Sequence, residues 1–232
     1  MDLQTFDSAH LKLARAQSHL RDFEAAFKRF VDHNPYTLTI KGSRKSGAWI
    51  DIHIEINFHE RLPTELGGIA GDAIHCLWCV LDHCTWELAG LVGASQDRFT
   101  KTPSGADRAG FMGQARGMKG MPVDVAQFFA ELEIYPGGRG ANLYRLKLLD
   151  ADDKHKVINA IAHAASLEKL VIFSIATGER SIVEQVSTGP TADMDTRCIS
   201  IDPGYGIDAN KKYRVIPEIY FGKGAACEYE PM

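Results

Sequence analysis

Lysine and arginine are missing from one long stretch of this 232-residue chain: neither occurs between Arg61 and Arg98. Also missing is any run of about 18 apolar residues, so no segment is suited to cross a bilayer as a helix. The N-terminus lacks a charged-then-apolar leader pattern, which makes the cytoplasm the expected compartment. There is no basic excess either. A net charge of −4 argues against broad nonspecific nucleic-acid binding, although a local basic groove is compatible with it. No G-x-S-x-G, G-x-x-x-x-G-K-[ST] or strand-linked G-x-G-x-x-G is present, so the familiar signatures of nucleophile elbows, P-loops and dinucleotide folds are absent. Cysteine is sparse and odd in number: Cys76, Cys79 and Cys84 cluster, while Cys198 and Cys227 stand apart. Without an export signal these read as reduced thiols.

What is present fits a soluble α+β protein, with 45% apolar and 24% charged residues close to globular averages. Residues 6–31 place Leu13, Ala16, Leu20, Phe23, Phe27, Phe30 and Val31 at steps of three and four, an amphipathic helix that "HNP" at 33–35 should stop. Tyr36, Leu38 and Ile40 then alternate with polar residues, and after "GSRKSG" so do Ile50, Ile52, Ile54, Ile56 and Phe58. That is a β-hairpin with His53 and His59 on its solvent side. Helical patterning returns from Thr64 to Leu91. Residues 93–121 are rich in glycine and read as a long irregular loop that accommodates short helical turns. A short helix follows from Pro122 to Leu132, then a longer one from Asn142 to about residue 166. Strand character resumes at Lys169. The expected organisation is one domain over 1–232, with a helical core at 64–166 inserted between β segments 36–59 and 169–222 that pack together.

The densest chemistry lies in "GDAIHCLWCVLDHCTW", residues 71–86. At 100° per residue, Ala70, Ile74, Leu77, Leu81, Cys84 and Leu88 form one apolar stripe. Asp72, His75, Cys79, Asp82 and Trp86 face the opposite way, with His83 beside them. A face of carboxylates, imidazoles, a thiol and an indole without lysine or arginine is expected to line a cleft, and its carboxylates need partners. The expected partner is "DADDKHK" at 150–156, which offers Lys154, His155 and Lys156 beside Asp152 and Asp153. One reading makes the pairing a structural seam; the other makes it an active or binding cleft, since Asp and His in such places acquire tuned acidities. A divalent metal is a further alternative, with Cys79 and His83 as its candidate ligands, although no second Cys/His pair follows at zinc-site spacing.

"IAGDAIHCLWCVLDHCTWELAG" together with "LLDADDKHKVI" resembles a family of bacterial and phage proteins of uncharacterised activity. Its members carry a G-D-x-x-H-N-L-R-x-x-L-D-H helix and a later D-K-H-[RK] motif. Gly71, Asp72, His75, Leu81, Asp82 and His83 match the first motif; Asp153, Lys154, His155 and Lys156 match the second. Cys76-Leu77-Trp78 departs from it, with tryptophan in place of the arginine. A second resemblance is to HEPN-type helical RNases, with Lys156 and His163 seven residues apart on one helix face. It implies a base for a ribose hydroxyl and a cation for phosphate, a task lysine performs less well than arginine.

The functional expectation is a cleft between helix 64–91 and helix 142–166. His75, Asp82, His83, Asp153 and His155 would act there, Lys154 and Lys156 would hold an anionic group, and the partner would be a nucleotide or nucleic acid. A noncatalytic interaction protein and a metal-dependent hydrolase are the alternatives.

Overall fold

A computed structural model describes residues 6–45, 48–154, 160–187, 196–201, 204–208 and 213–221. The chain is α+β. It runs α1 (Asp7–Asp32), β1 (Tyr36–Lys45), β2 (Ala48–Phe58), α2 (Thr64–Leu91), α3 (Arg108–Arg116), α4 (Val123–Glu131), α5 (Ala141–Asp153), β3 (Ala160–Ser174), β4 (Arg180–Ser187), β5 (Thr196–Ser200), β6 (Tyr205–Asp208) and β7 (Arg214–Phe221). It divides into two compact units. One comprises the first part of α1 with most of α2 and α3–α5; the other comprises the end of α1, the start of α2 and all the strands. No helix among the described residues is long and apolar enough to cross a membrane.

In the sheet unit, β1 and β2 form the expected hairpin, in register from Tyr36↔Phe58 to Lys45↔Ala48 with an irregularity between Lys41 and Ser43. The alternation in β2 does its work: Ile52, Ile54 and Ile56 are buried and join Leu170, Ile199, Ile207 and Val215 in one apolar core. His53 and His59 lie on the exposed side. All pairings are antiparallel. β2 continues to β5 and β6, and β6 also pairs with β3. β3 holds β4 on one side and β7 on the other. Among the described residues β7 pairs only with β3, which suits Pro217, a residue with no N–H to give a second neighbour.

Two boundaries differ from expectation. The helix expected over 142–166 ends at Asp153, and by Ala160 the chain is already in β3. The alanine-rich "AIAHAAS" has helical propensity, but it is paired with β7 on both sides of a register shift between Ala162 and Ala164, and propensity yields to such tertiary pairing. His163 therefore stands on a strand rather than on the helix face that the HEPN resemblance draws on, and Lys156 lies outside the described residues. The glycine-rich 93–121 segment, expected as an irregular loop with short helical turns, contains the nine-residue α3. Asp107 caps it by accepting the Gly110 N–H at 2.7 Å, and Phe111 and Ala115, one turn apart, are buried with Ala130 and Ile134.

In the helical unit the start of α1 is tied to α2. The Glu87 carboxylate accepts hydrogen bonds from Ser8 Oγ (2.5 Å) and from the Phe6 N–H. These bonds, Ser8 first, hold the Glu87 carboxyl below its usual range. At its other end α1 stops at Asp32, and Asn34 takes a left-handed φ of 53° before Pro35. The α1 stripe is narrower than expected: Ala16 and Phe30 are buried, whereas Leu13 and Leu20 remain exposed.

Candidate functional site: a four-residue relay and a cationic cavity

Helix α2 carries His75 and Cys79 one turn apart, so both project on one side. Helix α5 carries Asp150 in its last turns, followed by Lys154 at i+4. The approach of the two helices depends on Gly71. A Cβ there would sit 2.0 Å from Asp153 Oδ1, so the Asp153 carboxylate rests directly against the α2 backbone.

The centre of the cluster is Asp150, whose side chain is only 3% exposed. Its Oδ1 lies 2.7 Å from His75 Nδ1, and its Oδ2 accepts from Lys154 Nζ at 2.5 Å. A buried carboxylate is costly unless paired and hydrogen-bonded on both oxygens; here both are engaged. The donors keep one side in water, His75 at 43% and Lys154 at 52% exposure. The second ring nitrogen of His75, Nε2, lies 3.5 Å from Cys79 Sγ. Lys154, Asp150, His75 and Cys79 thus form a continuous relay.

Two neighbouring acidities are displaced. Burial pushes the Cys79 thiol up; Lys12 opposes this, while Asp150, Asp82 and Cys76 add to it. Burial also raises the Asp153 carboxyl, reinforced by Asp72 and Asp150 and opposed by His75 and Lys154.

The expected partners are only partly those found. Lys154 is paired with Asp150 rather than with Asp72 or Asp82. Asp150 itself was overlooked within the acidic run, although a carboxylate four residues before a lysine on a helix was the readable signal. Asp153 lies against Gly71 in the same region, so His75, Lys154 and Asp153 do come together. His155 and Lys156 lie outside the described residues. The polar face of α2 is also less enclosed than expected, since Asp72 and Trp86 are exposed. Trp78, at the arginine position of the resembling family, is buried. Of the cysteines, Cys76 is buried while Cys79 and Cys84 are half-buried. Among the described residues no group of three or more His, Cys, Asp or Glu side chains is arranged to hold a metal ion, so Cys79 and His83 have no such set around them.

Asp82 and His83 belong to a second feature, a cavity of about 420 Å³ lined also by Ser8, Trp86, Arg98 and Lys101. Its far wall is the segment 95–102, which is firmly built. Asp97 accepts from the Phe99 N–H at 2.8 Å, Asp82 accepts the Thr102 N–H at 3.0 Å, and Gln96 Nε2 donates to the Trp86 carbonyl at 2.9 Å. The buried hydroxyls of Thr85 and Thr102 meet at 2.8 Å. Both carboxylates of the cavity are thereby occupied with backbone amides. Arg98 stacks over the Phe99 ring at 4.8 Å, and neither Arg98 nor Lys101 forms an ion pair among the described residues. Sequence reasoning named Asp82 and His83 but missed Arg98, Lys101 and the wall; the basic residues that end the long basic-free stretch were the available signal. Searched against protein-family models, curated proteins and solved structures, the chain finds no significant match.

Proposed function

We propose that the protein binds a nucleotide in the cavity beside α2, with Trp86 stacking on the base and Arg98 and Lys101 holding the phosphate. The observation that carries this reading is the meeting, in one cavity, of an indole 41% exposed with two cations that form no ion pair among the described residues. Base–aromatic stacking contributes about 1–3 kcal/mol per base. Charge-assisted bonds to phosphate are roughly twice as strong as neutral ones. A volume of about 420 Å³ falls in the range of small-molecule sites, roughly 300–1,000 Å³. The location differs from the expected cleft for an electrostatic reason. Lys154, the described cation of the expected cleft, is already paired with the buried Asp150 at 2.5 Å, whereas Arg98 and Lys101 form no ion pair among the described residues.

The test is a fluorescence titration with AMP, read against inorganic phosphate and against a Trp86→Phe protein. The reading predicts saturable quenching in the parent protein that is lost in Trp86→Phe. It also predicts binding weakened at least tenfold in Arg98→Ala/Lys101→Ala. No binding of AMP up to millimolar concentration would overturn it. A second reading is favoured by the burial of Asp150 between the His75 imidazole and the Lys154 ammonium: a protein without catalysis, in which the α2–α5 relay serves only to fix how those helices pack.

A further inference from the structure

The geometry points to an activity distinct from the cavity: Cys79 is a thiol nucleophile, His75 its general base and Asp150 the residue that positions the imidazole, acting on activated acyl compounds such as esters and thioesters. It does not rest on nucleotide binding.

Three relationships carry the inference. Cys79 Sγ is 3.5 Å from His75 Nε2, His75 Nδ1 is 2.7 Å from Asp150 Oδ1, and Lys154 fixes the other oxygen of Asp150. A nucleophile in reach of a base that is itself oriented by a third group is the general signature of covalent catalysis. Asp150 accepts only, so the ring nitrogen facing it carries the proton. The Nε2 lone pair is then directed at the thiol. The same helix supplies a contrast. Cys84 is half-buried and its thiol is also pushed up by burial, yet no imidazole contacts it among the described residues. Because burial keeps Cys79 in its S–H form, attack requires proton removal at the moment of reaction, which is the role left to His75. Both reacting groups are reachable, with His75 43% exposed and Cys79 half-buried.

His75 Nε2 takes the Cys79 proton while Sγ bonds to the acyl carbon. The bond from that carbon to the leaving oxygen or sulfur breaks, and the imidazolium returns its proton to the leaving group. Water, deprotonated by the same nitrogen, then cleaves the thioester to a carboxylic acid and regenerates the thiol. Asp150 is a positioning residue here and touches no reacting atom.

The experiment uses the full chain at pH 7.5 with 4-nitrophenyl acetate and, separately, iodoacetamide. Sites are assigned by fragmentation of the one tryptic peptide that holds Cys76, Cys79 and Cys84. Nitrophenol should appear in a burst with acetyl on Cys79, and the burst should vanish in Cys79→Ala. Iodoacetamide should modify Cys79 about 10²-fold faster than Cys84, the low end of general-base assistance, and His75→Gln should erase that ratio. Asp150→Asn should reduce it while thermal melting confirms the fold. Absence of acetyl on Cys79 in the parent protein overturns the proposal whatever the variants do. So does a Cys79-to-Cys84 ratio that is near one or unchanged in folded His75→Gln.

Discussion

His75 Nδ1 and Asp150 Oδ1 lie 2.7 Å apart although 75 residues separate them in sequence. The bond joins α2 to the end of α5 at a carboxylate almost sealed from solvent. Replacing Asp150 by alanine strands His75 and Lys154 together, but both are about half exposed and recover water. The expected loss is therefore about 1–2 kcal/mol, the lower part of the range for a removed buried partner, measured by urea unfolding. The coupling of Lys154 to Asp150 in a double-mutant cycle should stay below about 1 kcal/mol for the same reason. A neutral Asp150→Ala would show that the relay contributes nothing to packing.

Gly71→Ala pits two effects against each other. In a helix interior alanine is favoured over glycine by about 1 kcal/mol. The new methyl, however, meets the Asp153 carboxylate at 2.0 Å, and overpacking costs about 1–3 kcal/mol. The substitution should destabilise the protein. In an Asp153→Ala background, where the obstructing oxygens are gone, it should become stabilising. A shift of the same sign in both backgrounds would contradict the contact.

Asp153 also makes a pH prediction. Burial and the charges of Asp72 and Asp150 raise its carboxyl in the folded state above 3.8, the ordinary value. Between 3.8 and the raised value the folded protein holds a proton that the unfolded chain has released, so stability falls as pH rises through that window. Asp153→Asn removes the effect. The variant should be more stable than the parent at pH 7, and its advantage should shrink as pH falls to about 3.8. Urea midpoints of both proteins at pH 7 and pH 4 decide this, and an advantage equal at both would count against it.

The elements were readable where periodicity was undisturbed. Ile52, Ile54 and Ile56 alternate without a break, and Pro63 and Gly93 bracket α2. Reading failed where two signals competed. "AIAHAAS" carries helical propensity, yet its strand form follows from pairing with β7, whose sequence lies some fifty residues away and says nothing locally. In the candidate site, helical projection grouped Asp72, His75, Cys79 and Asp82 on one face, and the structure separates them by what each meets. His75 and Cys79 join the α5 relay, Asp82 turns to the Thr102 amide, and Asp72 stays in solvent. A single-helix projection shows direction but not the neighbour on that side, which is why Asp150 and the 95–102 wall were out of its reach.

The clasp of Glu87 on Phe6 and Ser8 has a consequence in time. Helix α3 brings its own cap, Asp107, and can close its first turn as soon as Gly110 is made. The start of α1 must wait for Glu87, 81 residues after Phe6, an interval of roughly 4–16 s at synthesis rates of about 5–20 residues per second. The leading turn of α1 is thus fastened late, and a nascent chain halted before Glu87 lacks the carboxylate that holds it.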